Sequence, residues 1–223
     1  PQALNRSRDL LLGSASPLLV IHVAPDGDAV GSLLGLGWML RALGRDPTLS
    51  CQDALPQQLD FLPGFGEATT EPAGRFDLLV ALDCSDPQRL GAIGGLPAVE
   101  GLPLLNVDHH ATNLLFGTVN LVDTQVVSTT HIVYHLLPLL GVGLDERIAT
   151  WLLTGLVTDT RGFRTSNVTP DVASFILRRE RAAITVIVEG LSTGLAVFQS
   201  VRTARVIVCF DSGNMLPVVQ HIK

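Results

Sequence analysis

Residues 18–32 read LLVIHVAPDGDAVGS, and the reading of this stretch decides the fold. Leu18–Val23, interrupted only by His22, has the length and β-branched content of a buried strand. From Ala29 to Leu43 the apolar residues suit a helix, and Gly44 closes it. A strand, a short polar turn and a helix make the opening of a parallel α/β unit. The turn places His22, Asp26 and Asp28 within seven residues of one another, where the helix begins. A helix N-terminus welcomes one acid. Two acids and a histidine exceed what capping requires, and the surplus points to a cation.

Working outward, residues 48–52 (TLSCQ) form a short strand, and Phe76–Asp83 and Leu102–Asp108 are buried strands. Residues 129–141 and 145–157 read as helices. Thr169-Pro170-Asp171 combines an N-cap with proline at the first helical position and opens a further helix to about Arg179. Strands alternating with helices give an α/β fold, a mostly parallel sheet flanked by helices. Residues 1–181 form one domain on this reading. Residues 182–223 are an unassigned tail with β-branched runs around Asp211-Ser212-Gly213-Asn214, a hairpin-turn sequence.

Composition narrows the function classes. Of 223 residues 47% are hydrophobic and 16% charged, enough for a substantial core. No apolar run reaches the roughly 18 residues that span a bilayer, and the N-terminal stretch lacks the pattern of a signal peptide. Cys51, Cys84 and Cys209 are few, odd in number and widely spaced, which argues for a reducing cytoplasm without a disulfide framework or structural zinc. The net charge of −6 lacks the basic balance of a nucleic-acid binder, so a phosphate-rich substrate needs bound metal or local arginines.

Three strands run into metal-competent side chains: the first into His22, Asp26 and Asp28, the next into Asp83 and Asp86, the third into Asp108, His109 and His110. Ligand sites of open parallel sheets lie outside the carboxyl ends of the strands. Asp159 follows an apolar helix and is a further candidate. Carboxylates mixed with imidazoles suit a hard-to-borderline divalent ion, and their number suits two ions sharing a carboxylate. Each feature also has a plainer reading. Asp26 and Asp28 serve as turn and cap residues, Asp83 caps the next helix, and Asp108-His109-His110 sits in a solvated loop. His131 and His135, four apart, read as surface or partly buried histidines, Cys84 as a small buried residue, and Arg178, Arg179 and Arg181 as a solvated helix end or a phosphate-facing patch.

The ordered set HVAPDGDAVGS (22–32), ALDCSD (81–86), NVDHHATN (106–113) and TGLVTDTRGFR (154–164) resembles the DHH phosphoesterase family, within it the branch of oligoribonucleases that also remove the 3′-phosphate of 3′-phosphoadenosine 5′-phosphate. The resemblance implies two manganese ions, with magnesium as the alternative. His22 and Asp26 hold the first, Asp28, His109 and Asp159 the second, and Asp83 bridges them. It further implies that His110 faces the scissile phosphate and that Asp108 orients the histidine pair. Gly27 allows a tight turn between the acids, and Gly31 and Ser32 bring the helix close to the metals. The implied activity is two-metal hydrolysis of short RNA or DNA oligonucleotides or small nucleotides, in the cytoplasm and away from membranes, with a homodimer left open. Cyclic-dinucleotide cleavage, pyrophosphate hydrolysis and a catalytically idle nucleotide-binding module remain alternatives. Relatives of this branch carry a C-terminal substrate-binding domain with a Gly-Gly-Gly-His loop, and no such domain is recognisable here. Relatives also usually carry acids where His131 and His135 stand.

Overall fold

The computed structural model describes residues 2–162, 165 and 168, together with the strand residues 184–189 and 204–209. The chain divides into two compact units, Pro1–Asn167 and Val168–Lys223.

In the first unit the elements are α1 (Gln2–Gly13), β1 (Pro17–Ile21), α2 (Gly27–Ala42), β2 (Thr48–Ser50), β3 (Leu78–Leu82), β4 (Leu104–Asp108), β5 (Val119–Val122), α3 (Thr129–Leu140) and α4 (Glu146–Asp159). The five strands form one sheet in the order β2-β1-β3-β4-β5, and every pairing is parallel. All strand ends that carry acids or histidines therefore point to the same edge, as the sequence leads one to expect. β1 and β3 are buried along their whole length, which explains why they read as unbroken apolar runs. Leu18, Val20, Leu79 and Ala81 pack with Cys84, Leu90, Ile93 and Val99 on one face of the sheet. Leu19, Ile21, Val80 and Leu82 alternate with them, point to the opposite face and are equally buried.

Two elements escape the sequence reading. α1 is predominantly polar and its buried residues are only Ser7 and Leu11, so its apolar face is too thin to announce it. β5 has four residues, half of them partly exposed, as an edge strand allows. The first strand ends at Ile21, leaving His22 and Val23 in the turn.

α2 lies against α4, and two glycines of α2 govern the approach near the site. A Cβ on Gly31 would stand 2.4 Å from the carbonyl oxygen of Trp151, and one on Gly27 would stand 2.5 Å from Thr158 Oγ1. Gly27 is needed for this helix contact and does not adopt positive φ, so the tight turn expected of it is not its role. Gly31 likewise serves the seating of α4, and Ser32 is buried one residue on.

In the second unit β6 (Ile184–Glu189) and β7 (Ala204–Cys209) pair in parallel. The expected helix after Thr169, the arginines at 178, 179 and 181, the turn at 211–214 and His221 lie outside the described residues. Among the described residues no helix is long and apolar enough to cross a membrane.

Candidate metal centre

The carboxyl edge of the sheet gathers the six candidate ligands. His22 Nε2 lies 3.5 Å from Asp83 Oδ2 and 3.9 Å from Asp26 Oδ1. His109 Nε2 lies 3.8 Å from Asp83 Oδ1, 3.8 Å from Asp28 Oδ2 and 3.2 Å from Asp159 Oδ2. The two oxygens of Asp83 thus face two different imidazoles. Ligand-competent atoms fall into three overlapping groups, His22/Asp26/Asp83, Asp28/His109/Asp159 and Asp83/His109/His110, each with its atoms within 4.8 Å of one another.

Local structure explains how each carboxylate is placed. Asp83 has φ 57°, left-handed backbone that a non-glycine residue adopts at a cost of about 1–3 kcal/mol. Its amide donates to the Val107 carbonyl at 2.9 Å, and Thr129 donates its hydroxyl to Asp83 Oδ1 at 2.8 Å. Asp28, fully buried, receives the Thr129 amide at 2.6 Å, the Thr130 amide at 2.9 Å and the Thr130 hydroxyl at 2.7 Å. The N-terminus of α3, capped by Ser128, therefore holds two of the acids. Asp26 caps α2, accepting from the amides of Asp28 and Ala29, and its side chain stays 57% exposed. The capping reading of Asp26 and its place in the cluster hold together.

Crowding sets the electrostatics. Burial, then the charges of Asp83 and Asp159, push the Asp28 carboxyl well above the usual carboxylate range, against the donors of Thr130. Burial also raises Asp159, with His109 opposing and Asp83 and Asp26 adding. Burial would raise Asp83 too, but the hydrogen bond from His22, the charges of His109 and His22 and the Thr129 hydroxyl hold it below its ordinary value. These acids compete for too little positive charge, and a bound cation would relieve that competition. His109 Nε2 is buried, ringed by three carboxylates and hydrogen-bonded to none. Two imidazole nitrogens and four carboxylates make a donor set suited to manganese or magnesium. The residues present fit such an ion pair.

His110 is placed differently. Its Nδ1 bonds Asp108 Oδ1 at 2.7 Å, and its side chain remains 37% exposed. Asp108 is fully buried, and its second oxygen accepts from Asn113. Asp108 thus orients His110, and among the described interactions its carboxylate forms no hydrogen bond or ion pair with His109. The hydrogen bond to Asp108 raises the His110 pKa above the ordinary imidazole value, with burial opposing.

Several sequence readings resolve at this point. Asp86 stays out of the cluster and caps a 3₁₀ turn, its side chain accepting the Gln88 amide at 2.8 Å. His131 and His135 stack on α3 with ring centroids 4.9 Å apart and join none of the ligand groups. Cys84 is a buried core residue whose thiol burial pushes up. The sequence reading passed over Thr129, Thr130, Asn113 and Arg89. Ser128-Thr129-Thr130 carried an N-cap signature, but nothing local shows that its donors reach back to Asp28 and Asp83.

The model of the DHH family, N-terminal domain, matches residues 18–156, the span from β1 to the last turn of α4. The chain belongs to the DHH family. It is 43% identical over 157 residues to the bifunctional oligoribonuclease and PAP phosphatase NrnA of Thermus thermophilus, covering 69% of this chain and 46% of that protein. The NrnA of Bacillus subtilis is 28% identical over 151 residues, covering 66% and 47%. The chain spans about half the length of the curated relatives it matches. Among solved structures, an exopolyphosphatase-related protein from Bacteroides fragilis superposes with a TM-score of 0.72 at 22% identity, covering 79% of this chain and 55% of that one. This likeness is one of fold and agrees with the DHH assignment.

Proposed function

We propose that this DHH domain binds two divalent cations, manganese before magnesium, and hydrolyses phosphoesters of short oligonucleotides or of 3′-phosphoadenosine 5′-phosphate in the cytoplasm. The observation that carries the reading is Asp83, whose two oxygens face His22 and His109 from the middle of six ligand-competent side chains. The oligonucleotide and nucleotide substrates rest on likeness to the two NrnA proteins.

His22 and Asp26 would hold one ion, Asp28, His109 and Asp159 the other, with Asp83 between them. Such a pair, when bound, lowers the pKa of water and neutralises phosphoryl charge. The remaining work belongs to the chain. Asp108 keeps a hydrogen on His110 Nδ1 and raises the ring's pKa above its ordinary value, which favours the imidazolium whose Nε2–H could donate to the phosphoryl or the departing oxygen. Asn113 locks Asp108 from behind. Neither a serine nor a cysteine nucleophile stands in the cluster, consistent with direct attack by water.

The test is a panel of pAp, the dinucleotide pApA, cyclic di-AMP and pyrophosphate, assayed with and without Mn²⁺. Manganese-dependent release of phosphate from pAp or of mononucleotide from pApA is expected. Turnover confined to pyrophosphate or cyclic di-AMP would overturn the substrate assignment, and metal-independent turnover would overturn the mechanism.

A further inference from the structure

The 3₁₀ turn Pro87–Gly95 follows Asp86 and packs Leu90 and Ile93 into the core. Its backbone is pinned beside the β1–α2 turn: the Val23 amide donates to the Arg89 carbonyl at 2.8 Å, and the Ala92 amide donates to Gln52 Oε1 at 2.6 Å. Gly91, at φ 61°, lies where a Cβ would meet Gln52 Oε1 and Val23 Cγ1. The placement of Arg89 next to His22 is thus built into the backbone.

The half-buried Arg89 side chain sets Nη2 2.8 Å from His22 Nδ1. The same Nδ1 lies 2.8 Å from the Val23 carbonyl oxygen. One ring nitrogen cannot serve both. Either it carries a hydrogen and donates to Val23, or it presents its lone pair to the guanidinium. A cation at the His22/Asp26/Asp83 group takes the lone pair of Nε2, which leaves the hydrogen on Nδ1 and settles the bond on Val23. The guanidinium then faces a donor and loses its partner.

Arg89 is also unspent. The centre is crowded with carboxylates, yet among the described residues none lies within 4.0 Å of the Arg89 nitrogens, whereas Arg8 and Arg41 both have acidic partners. On a rotatable stem, beside a cation centre and without a carboxylate, the planar fork of this guanidinium can donate two parallel bonds to two oxygens of a tetrahedral phosphate.

We propose that Arg89 reads the phosphate of the substrate: it rests on His22 in the metal-free protein and is released by metal loading to bind the anion. This rests on the two-cation reading of the centre. It gives the protein an order of binding, metal first and anion second.

The experiment is calorimetry on the full chain with Mn²⁺ alone, then with inorganic phosphate added to the Mn²⁺-loaded protein, for wild type, Arg89→Gln and Arg89→Lys. The expected result is Mn²⁺ affinity in Arg89→Gln close to wild type or slightly tighter. Phosphate affinity should fall roughly 10- to 100-fold, the loss of a charge-assisted pair of bonds. Arg89→Lys should lie between, since it keeps the charge and loses the fork. Unchanged phosphate binding in a Mn²⁺-loaded Arg89→Gln protein would overturn the inference and leave the two-cation reading standing. Loss of Mn²⁺ as severe as in His22→Ala would make Arg89 a prop for His22 and overturn it likewise. Wild type that takes up no Mn²⁺ would overturn the centre itself and this inference with it.

Discussion

The two halves of the metal centre are built on different plans. The half around His109 is organised on a buried carboxylate: Asp28 is 0% exposed and fixed by three donors from the start of α3, with His109 and Asp159 partly exposed beside it. The half around His22 is organised on an open carboxylate: Asp26 is exposed and engaged in capping α2, beside a buried His22 shared between the Val23 carbonyl and Arg89. Asp83 stands in both. The buried half is preorganised, so an ion there meets ligands already aimed and pays for charge burial that the α3 amides partly offset. On the two-cation reading, loading the open half would settle His22 on the Val23 carbonyl and free Arg89. The difference teaches that, on the two-cation reading, one ion would meet ligands already aimed and the other ligands that must first rearrange.

The largest effect tests what the halves share. Asp83→Ala should remove both ions and all turnover, an affinity loss beyond about 100-fold at each site, since even outer partners of ligands cost 10–100-fold. Calorimetry showing one site intact would separate the halves and end the bridging role.

Next comes His110, which belongs to neither half. His110→Ala should lower kcat by about 10²–10⁴ while Mn²⁺ affinity stays near wild type. Because the bond to Asp108 raises the His110 pKa, activity should fall as pH rises through that raised value. In Asp108→Asn this alkaline fall should move to lower pH. Metal loss in His110→Ala equal to that in His109→Ala would make His110 a ligand.

Preorganisation of the buried half can be broken at Thr130. Thr130→Val removes the 2.7 Å hydroxyl bond to Asp28 and should weaken one of the two ions about 10- to 100-fold, with Thr130→Ser restoring it. Equal weakening of both ions would show that the halves are not independent.

The smallest effect belongs to the open half. Asp26→Asn keeps the α2 cap and a neutral oxygen donor while removing one exposed charge, so it should weaken a single ion by about 10-fold, the low end of the range expected for Thr130→Val. A loss as large as in Thr130→Val would erase the distinction between the halves.

The sheet was legible because β1, β3 and β4 are buried strands, and burial on both faces writes itself as an apolar run. α1 and β5 were not: α1 is mostly polar, with only Ser7 and Leu11 buried, and the alternation of β5 spans just four residues. The acids and histidines were legible as residues without local employment, and their order along the chain carried the family resemblance. Their support was not. Thr129 reaches Asp83 across 46 positions and Thr130 reaches Asp28 across 102, and no spacing rule covers such distances. The left-handed backbone of Asp83 was hidden for a related reason: the fold imposes that strain, whereas sequence preference argues against it.

Gly27 has a further consequence for how the protein can change. It sits between Asp26 and Asp28 in the chain, and Thr158, the neighbour of Asp159, fills the space its missing side chain leaves. At this point the two ligand-bearing helices meet with the backbone of one against a side chain of the other, close to the ligands themselves. Side-chain packing elsewhere absorbs small errors by rotamer adjustment, but a contact of this kind acts as a mechanical stop. Even one added methyl group would push back the end of α4 and with it the carboxylate of Asp159. The spacing of the centre is accordingly gauged by an absence, and random mutagenesis should find Gly27 as intolerant as any ligand although it bears no functional group.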